Sequence, residues 1–449
     1  MNKALIMGAG VSGLGAAHVL LRHGWQVAIT DLKDTIRGRM EKTGLEQLGA
    51  VFYFGPQNES LLENVTLLVI SPVIPRENPV VSAALKRGIS VISEVELAYR
   101  VTKAPIAAIT GTNGKTTTTA LLAAMIECSG KPFALAGNLG ISLSREAELV
   151  PENGIIAAEV SSFQVEFIER FHPRVAAILN ITPDHLERHH TMEAYAAAKA
   201  RIFENMDMQD DLLLNAEDSY TPLFMKKAQS HTRVSFFSTA REVESGAFLR
   251  NGYLVVRTGG QETTLCKTTD LQLKGDQNYQ NALAASFMAI KCGIARESII
   301  QALKQFHPLA NRIESVRTLH GVSYYNDSKA TNTDAAIKGM QSFDRPVILI
   351  AGGYDKGIPL DLFMNAAKKH ARHLILLGAA AERFKKAALE AGISSIQMVG
   401  SMHDAVLSAQ KAAHEGDIVL LSPACSSFDM YNDMEERGMD FKKEVNHLS

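Results

Sequence analysis

Cysteine is scarce. The chain has four in 449 residues, Cys128, Cys266, Cys292 and Cys425, and none stands in a Cys-x-x-Cys pair. That excludes a disulfide scaffold and reads as reduced thiols in a cytoplasmic protein. An excess of one charge is lacking too. The 46 Lys and Arg against 48 Asp and Glu leave a formal net charge of -2, so nothing in the composition suggests a field for nucleic acid. Long apolar runs are missing. The first, Ala4–Met7, is stopped by Gly8; it is too short for a secretory leader, and no later run approaches a membrane span. The lone Trp25 and the scattered methionines read as packing. What remains, 46% hydrophobic and 21% charged residues, belongs to a soluble globular protein. The length predicts two or three domains.

The most informative stretch is Thr110-Gly111-Thr112-Asn113-Gly114-Lys115-Thr116-Thr117, directly after the apolar run Ile106–Ile109. A short apolar run reads as a buried strand, and the Thr- and Ala-rich segment after Lys115 reads as a helix. A strand, a Gly-containing turn and a helix N-terminus together make a phosphate cradle. Backbone N–H groups and the helix dipole face the anion, the Lys adds a point charge, and a Thr hydroxyl can ligate Mg²⁺. The spacing departs from the full Walker pattern, because Ile109 stands where the first Gly would fall. The expected ligand is ATP.

Three segments separate on pattern, at residues 1–94, 95–307 and 308–449. The first opens with a strand at Lys3–Met7, then Gly8-Ala9-Gly10-Val11-Ser12-Gly13, a helix through Leu21 and a second strand at Gln26–Thr30 ending at Asp31. This is a Rossmann-type opening for a nucleotide-like pyrophosphate. Leu67–Ile70 reads as a strand running into Ser71-Pro72-Val73, at the sheet edge where ligands bind. In the second segment, strands at Ile155–Glu159 and Val175–Asn180 run into Ser161-Ser162-Phe163-Gln164 and Thr182-Pro183-Asp184-His185. Glu159 can hold Mg²⁺ at a phosphate, with Asp184 or His185 as further ligands. Met192–Phe203 reads as an amphipathic helix carrying Lys199 and Arg201. Asn278 and Asn281 open an Ala-rich helix, where they either cap it or touch a nucleotide. The third segment has strands at Val322–Asn326, Val347–Ala351, Leu374–Leu377 and Ile418–Leu421, and reads as a second doubly wound α/β domain. Its loops carry Lys329 and Lys356, suited to an anionic partner.

In this order the motifs resemble the Mur ligases of peptidoglycan synthesis. The resemblance rests on the Thr-Gly-Thr-Asn-Gly-Lys-Thr loop, Glu159-Val160-Ser161-Ser162-Phe163-Gln164, Asn180–Leu186 and Asn278-Tyr279-Gln280-Asn281-Ala282. It covers essentially the whole chain. Asn326-Asp327-Ser328-Lys329-Ala330-Thr331-Asn332 and Ser422-Pro423-Ala424-Cys425 are similar to the D-glutamate-adding branch; siblings for L-alanine or a diamino acid usually carry Asp-x-Ala-His.

The resemblance implies an α/β protein of three domains: Rossmann-like, central P-loop-type and C-terminal doubly wound. The implied activity is ATP-dependent joining of D-glutamate to UDP-N-acetylmuramoyl-L-alanine through an acyl phosphate. It implies that Gly111, Thr112, Asn113, Gly114, Lys115, Thr116 and Thr117 bind ATP, with Asn278, Asn281, Arg312 and Asp327. Thr116 and Glu159 would hold one Mg²⁺ and His185 a second, with Lys199 carbamylated as a further metal-binding anion. Val11, Ser12, Asp31 and Leu32 would lie near uridine. Ser71, Val73 and Asn138 would follow the diphosphate and sugar, with Ser161, Gln164 and His185 further in. Lys329, Thr331, Lys356, Ser427 and Phe428 would receive D-glutamate. The partners are these small molecules, with no nucleic acid or membrane, and the chain is expected to be a cytoplasmic monomer.

Three positions depart from the family pattern. Asn311 precedes Arg312 where His is usual, Gln277 precedes Asn278 where His is usual, and Met434 replaces an aromatic residue. Asn and Gln keep hydrogen bonding and lose the option of positive charge. Two other readings stay open at this point. One is a Rossmann oxidoreductase, which leaves the Gly-Lys-Thr loop without a task. The other is a non-catalytic nucleotide-binding paralogue.

Overall fold

A computed structural model describes residues 2–34, 36, 40–228, 232–307 and 310–449. Pro308, the expected start of the third segment, lies outside the described residues. The chain forms two compact units.

The first unit holds two sheets. One has five parallel strands in the order Val51–Phe54, Gln26–Asp31, Lys3–Met7, Leu67–Ile70, Ser90–Ser93. The strand order reverses between Lys3–Met7 and Leu67–Ile70, so Gly8 and Ser71 flank the crevice where such sheets bind ligands. Glycines let the backbone close up there. A Cβ on Gly13 would lie 1.9 Å from the Gly8 carbonyl oxygen, and one on Gly8, at φ +102°, would lie 2.6 Å from Ser71 Cβ. Gly13→Ala is therefore expected to destabilise the protein by about 1–3 kcal/mol through overpacking, read as a lower midpoint in urea. An unchanged midpoint would show that the turn can relax.

The other sheet has nine strands in the order Gln261–Lys267, Tyr253–Thr258, Gly246–Arg250, Arg233–Ser238, Asp211–Asn215, Val175–Ile178, Ile106–Thr110, Ile155–Glu159, Phe133–Gly137. Its central strands are buried and parallel, which accounts for their unbroken apolar runs. The first three strands in that order, Gln261–Lys267, Tyr253–Thr258 and Gly246–Arg250, form an antiparallel meander. The strand expected to reach Asn180 ends at Ile178. The expected amphipathic helix is a helix only over Met192–Ala200, with a 3₁₀ turn at Arg201–Phe203. Its alanines permit close packing, and both Tyr195 and Lys199 are buried.

Two buried glutamates of the helix Glu94–Val101 join the two sheets. Glu94 Oε1 accepts hydrogen bonds from the Ser142 hydroxyl and the Ser144 N–H, both at 2.6 Å. Glu96 Oε2 accepts from the N–H groups of Glu169, Arg170 and Phe171 at 2.9, 2.9 and 2.8 Å.

The second unit is built on a six-stranded sheet in the order Glu314–Leu319, Val322–Asn326, Ile418–Leu421, Val347–Gly352, Ala371–Leu377, Ile396–Met398. The first pair is antiparallel and the rest parallel. Helices cover both faces, with Phe363 and Phe384 in the core on one side and Tyr324 and Phe441 on the other. Residues 182–192 and 272–277 belong to this unit.

Candidate active site

In the first unit, the strand Ile106–Thr110 delivers the chain to the phosphate loop, and the helix Lys115–Cys128 leaves it. Gly111 at φ 145° and Gly114 at φ 87° make the turn. The loop is pinned from the next strand end. Thr112 N–H donates to the Asn180 carbonyl, Asn113 N–H donates to Asn180 Oδ1 at 2.8 Å, and Asn180 Nδ2 returns a bond to the Asn113 carbonyl at 2.9 Å. Two of the loop amides expected to face an anion therefore hold the loop's shape. The first turn of the helix that begins at Lys115 is left to present its N–H groups to the anion.

Lys115 Nζ lies 2.9 Å from the Gly111 carbonyl oxygen and 2.8 Å from that of Thr112. Lys199 Nζ lies 2.9 Å from the same Gly111 oxygen and 4.7 Å from the Tyr195 ring centroid. Two ammonium groups sharing one carbonyl repel each other. Glu159 stands at the end of the neighbouring strand, 2% exposed. Its Oε1 accepts from Asn138 Nδ2 at 2.9 Å, while its Oε2 is buried with no hydrogen-bond partner among the described residues. Thr110 Oγ1 is likewise buried without a partner among the described residues, and Thr116 is buried at the helix start. A buried carboxylate oxygen without a hydrogen-bond donor suits a hard divalent cation.

Several of the remaining expected residues of this unit have structural partners of their own. Asn281 Oδ1 accepts from the Thr118 hydroxyl at 3.2 Å and its Nδ2 reaches Asn278 Oδ1 at 3.5 Å, tying the Ala-rich helix to the phosphate-loop helix. Ser161 and Gln164 brace each other through reciprocal backbone bonds. Asp31 Oδ2 accepts from Ala9 N–H at 2.8 Å and so shapes the glycine turn. Val11, Leu32 and Val73 are exposed apolar side chains and Ser12 is half-buried.

In the second unit the acidic loop is clamped. Asp184 accepts from Lys356 Nζ at 3.0 Å and from Asn332 Nδ2 at 3.1 Å, and the Thr182 hydroxyl reaches Asp334 at 3.2 Å. Burial pushes the Asp184 carboxyl up, but Lys356, His185 and the hydrogen bonds outweigh it and hold it below its ordinary range. Asp184 is thus engaged in an ion pair, while His185, the alternative further ligand, is half-exposed at φ 54°. Lys329 and Thr331 sit in the turn that follows Asn326, where Lys329 N–H donates to the Asn311 carbonyl at 3.1 Å. Ser427 is buried and Phe428 is 69% exposed. Arg437, which the sequence did not single out, fastens the loops behind them.

Asp327 is buried and accepts from the Ser422 hydroxyl at 2.8 Å. Burial pushes its carboxyl up to about 7 against the opposing hydrogen bond from Ser422 and the nearby Arg312. The folded protein therefore binds a proton that the unfolded chain releases near its ordinary value of 3.8. Stability is expected to fall as pH rises from about 4 to 7 and to level off above that, by at most a few kcal/mol. Asp327→Asn should flatten that fall, leaving the variant more stable than the parent at pH 8 and not at pH 4. Parallel urea curves for the two proteins at both pH values would refute this.

Sequence comparison places a Mur ligase MurD-like N-terminal domain at residues 2–93, a Mur ligase middle domain at 109–289 and a Mur ligase glutamate ligase domain at 311–425. The chain belongs to the Mur ligase family. It is 42% identical over 449 residues to a UDP-N-acetylmuramoylalanine–D-glutamate ligase of Caldanaerobacter subterraneus subsp. tengcongensis, covering 100% of this chain and 98% of the relative. A protein of the same description from Lachnospira eligens is 40% identical, with 100% and 99% covered. Among solved structures, UDP-N-acetylmuramate-alanine ligase MurC of Thermotoga maritima superposes with a TM-score of 0.61 at 19% identity over 99% of both chains. MurF of Acinetobacter baumannii gives 0.62 at 16% identity, over 98% of this chain and 93% of its own. Those two likenesses bear on the fold. Membership in the Mur ligases removes the oxidoreductase reading of the glycine turn.

Of the three positions that depart from the Mur ligase pattern, Asn311 has a local reason and nothing in the structure explains the other two. Asn311 sits at φ 62°, a left-handed conformation that Asn tolerates better than most residues. Its Oδ1 accepts from Asn326 Nδ2 at 2.8 Å, and a Cβ on Gly438 would lie 1.9 Å from it. Asn311 and Gly438 thus fit as a pair. Met434 contributes through its carbonyl, which accepts from the Ser328 hydroxyl at 2.8 Å. Gln277 lies in the first turn of the helix Asp276–Lys291.

Proposed function

We propose that this chain is the ATP-dependent, ADP-forming ligase that joins D-glutamate to UDP-N-acetylmuramoyl-L-alanine in peptidoglycan precursor synthesis. The observation that carries the reading is a pinned Gly-Lys-Thr loop on the strand paired with the one that ends at a buried glutamate, which has one uncommitted oxygen among the described residues, in a chain 42% identical from end to end to a D-glutamate ligase. Phosphoryl transfer to a carboxylate joins two anions, so positioning and charge neutralisation dominate over any protein nucleophile. Lys115 and the helix start would bind the β- and γ-phosphates. Bound at Glu159 and Thr116, Mg²⁺ would supply Lewis-acid neutralisation there.

A second Mg²⁺ is assigned to His185, and a carbamate to Lys199. Making an anion of Lys199 would remove the repulsion at the Gly111 carbonyl; ¹³C-bicarbonate should then give a carbamate resonance that is lost in Lys199→Arg. Asn278, Asn281, Arg312 and Asp327 are assigned to the ATP side. Val11, Ser12, Asp31, Leu32, Ser71, Val73, Asn138, Ser161 and Gln164 are assigned to the UDP substrate, and Lys329, Thr331, Lys356, Ser427 and Phe428 to D-glutamate. We assign these tasks to domains at 1–94, 95–307 and 308–449 of a cytoplasmic monomer. Among the described residues, no helix is long and apolar enough to cross a membrane.

The test is phosphate release from Mg-ATP with UDP-N-acetylmuramoyl-L-alanine, comparing D-glutamate with L-glutamate, L-alanine, L-lysine and no acceptor. Release is expected only with D-glutamate. Release with another acceptor would move the substrate, and none at all would favour the non-catalytic paralogue.

A further inference from the structure

Within the first unit, a cleft of about 770 Å³ opens at the N-terminal edge of the central sheet. It lies where the strands Ile106–Thr110 and Val175–Ile178 begin, at the other end of those strands from the phosphate loop. Five strand residues at ~3.3 Å each put it roughly 17 Å from the loop. The lining carries four cations, Arg100, Lys103, Arg170 and Arg174, and one acid, Asp210. The chain as a whole has a net charge of -2, so this clustering runs against its composition.

Two of the cations are fixed. Arg100 donates from Nε to Glu96 at 2.8 Å and from Nη2 to Glu169 at 2.6 Å. Arg174 donates from Nη1 to Asp210 at 3.1 Å and to the Gln209 carbonyl. Among the described residues, Arg100 Nη1 and Arg174 Nη2 have no partner. The other two cations are uncompensated: the side chains of Lys103 and Arg170 make no ion pair or hydrogen bond among the described residues. Arg170 is nonetheless placed by its backbone, whose N–H is one of the three gathered on Glu96. His172 is oriented by its 2.5 Å hydrogen bond between Nε2 and Asp210. The Tyr99 ring is half-exposed in the cleft and backed edge-on by Phe171 at 6.2 Å.

A metal ion is the weaker occupant. His172, Asp207 and Asp210 can bring ligand atoms within 4.8 Å of one another. However, Asp210 already receives Arg174, His172 and the Asp207 N–H, so a cation would have to displace a guanidinium. An anion displaces nothing and meets unspent donors in fixed positions.

We propose that this cleft is a second, non-catalytic binding site for a phosphate-chain anion, either free pyrophosphate or the diphosphate tail of a nucleotide. Arg170 and Lys103 supply the uncompensated charge, and the guanidinium groups of Arg100 and Arg174 supply fixed donors. For a nucleotide, the Tyr99 ring supplies a face on which a base can stack.

The experiment is calorimetric titration of inorganic pyrophosphate, and separately of ADP, into the full chain. It is run on the parent, on Lys115→Ala and on the charge reversal Lys103→Glu with Arg170→Glu. Pyrophosphate binding that persists in Lys115→Ala and weakens at least roughly tenfold in the charge reversal is the expected result, with ligase turnover in the charge reversal unchanged. Loss of all pyrophosphate binding in Lys115→Ala would overturn the proposal, because the heat would then belong to the phosphate loop. So would equal binding by parent and charge reversal. Neither result touches the ligase assignment, which the turnover assay tests by itself. In the Lys115→Ala background, adding Tyr99→Ala separates the two sources: weaker ADP with unchanged pyrophosphate identifies a nucleotide, and equal retention of both identifies the free anion.

Discussion

Glu159→Gln is expected to cut substrate-dependent phosphate release by roughly two to three orders of magnitude and to raise the Mg²⁺ concentration needed for half-maximal rate. The substitution keeps shape and volume. Gln still offers an oxygen to Asn138 Nδ2, so the bond that positions the side chain survives. What changes is the other oxygen, buried without a partner among the described residues, which becomes an NH₂ group with hydrogens where a cation would sit. An isolated buried carboxylate oxygen is costly, and a bound cation is the simplest compensation. The apoprotein should accordingly be as stable as the parent or more so, while the metal response is lost. A rate loss with an unmoved Mg²⁺ dependence would sink the assignment, because Glu159 would then act on geometry alone.

What the sequence disclosed was the part whose physics is local. The phosphate loop, the strand before it and the helix after it are contiguous, and Gly111 and Gly114 take the positive φ values that such a turn requires. Parallel strands announced themselves as apolar runs because both of their faces are covered. The meander on the central sheet was just as local and passed unread. Asn251-Gly252 and Gly259-Gly260 are two-residue hairpin turns, with all four residues at positive φ. They were the available signal. The outer strand Gln261–Lys267 carries more exposed positions than the central ones and no apolar run, whereas Tyr253-Leu254-Val255-Val256 was a run as plain as those of the central strands.

Long-range polar pairs were a different matter. Lys356 and Asp184 are 172 residues apart, and neither position foretells the other. Lys356 was read as a ready cation for a carboxylate. Its side chain is in fact largely buried against one of the protein's own, and D-glutamate would have to compete with Asp184 or share the ammonium with it. The glutamates at 94 and 96 are a parallel case: nothing near them in sequence marks them as sheet-joining acceptors, because their partners are at 142–144 and 169–171.

Arg437→Met is expected to cost about 3 kcal/mol or more in stability and to raise the KM for D-glutamate at least tenfold, leaving that for ATP nearly unchanged. Arg437 is 3% exposed, and burial brings its guanidinium down to about 10, still charged at neutral pH. Nη1 donates to the carbonyls of Cys425 and Ser426 at 3.0 and 3.1 Å, Nη2 to that of Ser328 at 2.8 Å, and Nε to the Ser328 hydroxyl at 3.0 Å. One planar fork thus holds the turn leading to Lys329 and Thr331 against the turn leading to Ser427 and Phe428. Those turns carry most of the residues assigned to D-glutamate, so Arg437 acts as a positioning residue. Gly353 makes room for the arrangement, since a Cβ there would lie 2.4 Å from the Ser426 carbonyl oxygen and 3.2 Å from Arg437 Nη1. Arg437→Lys separates charge from geometry. An ammonium keeps the positive charge but cannot span both turns, so it should recover part of the stability and little of the affinity. The idea is falsified if Arg437→Lys restores the D-glutamate KM fully, because charge alone would then suffice.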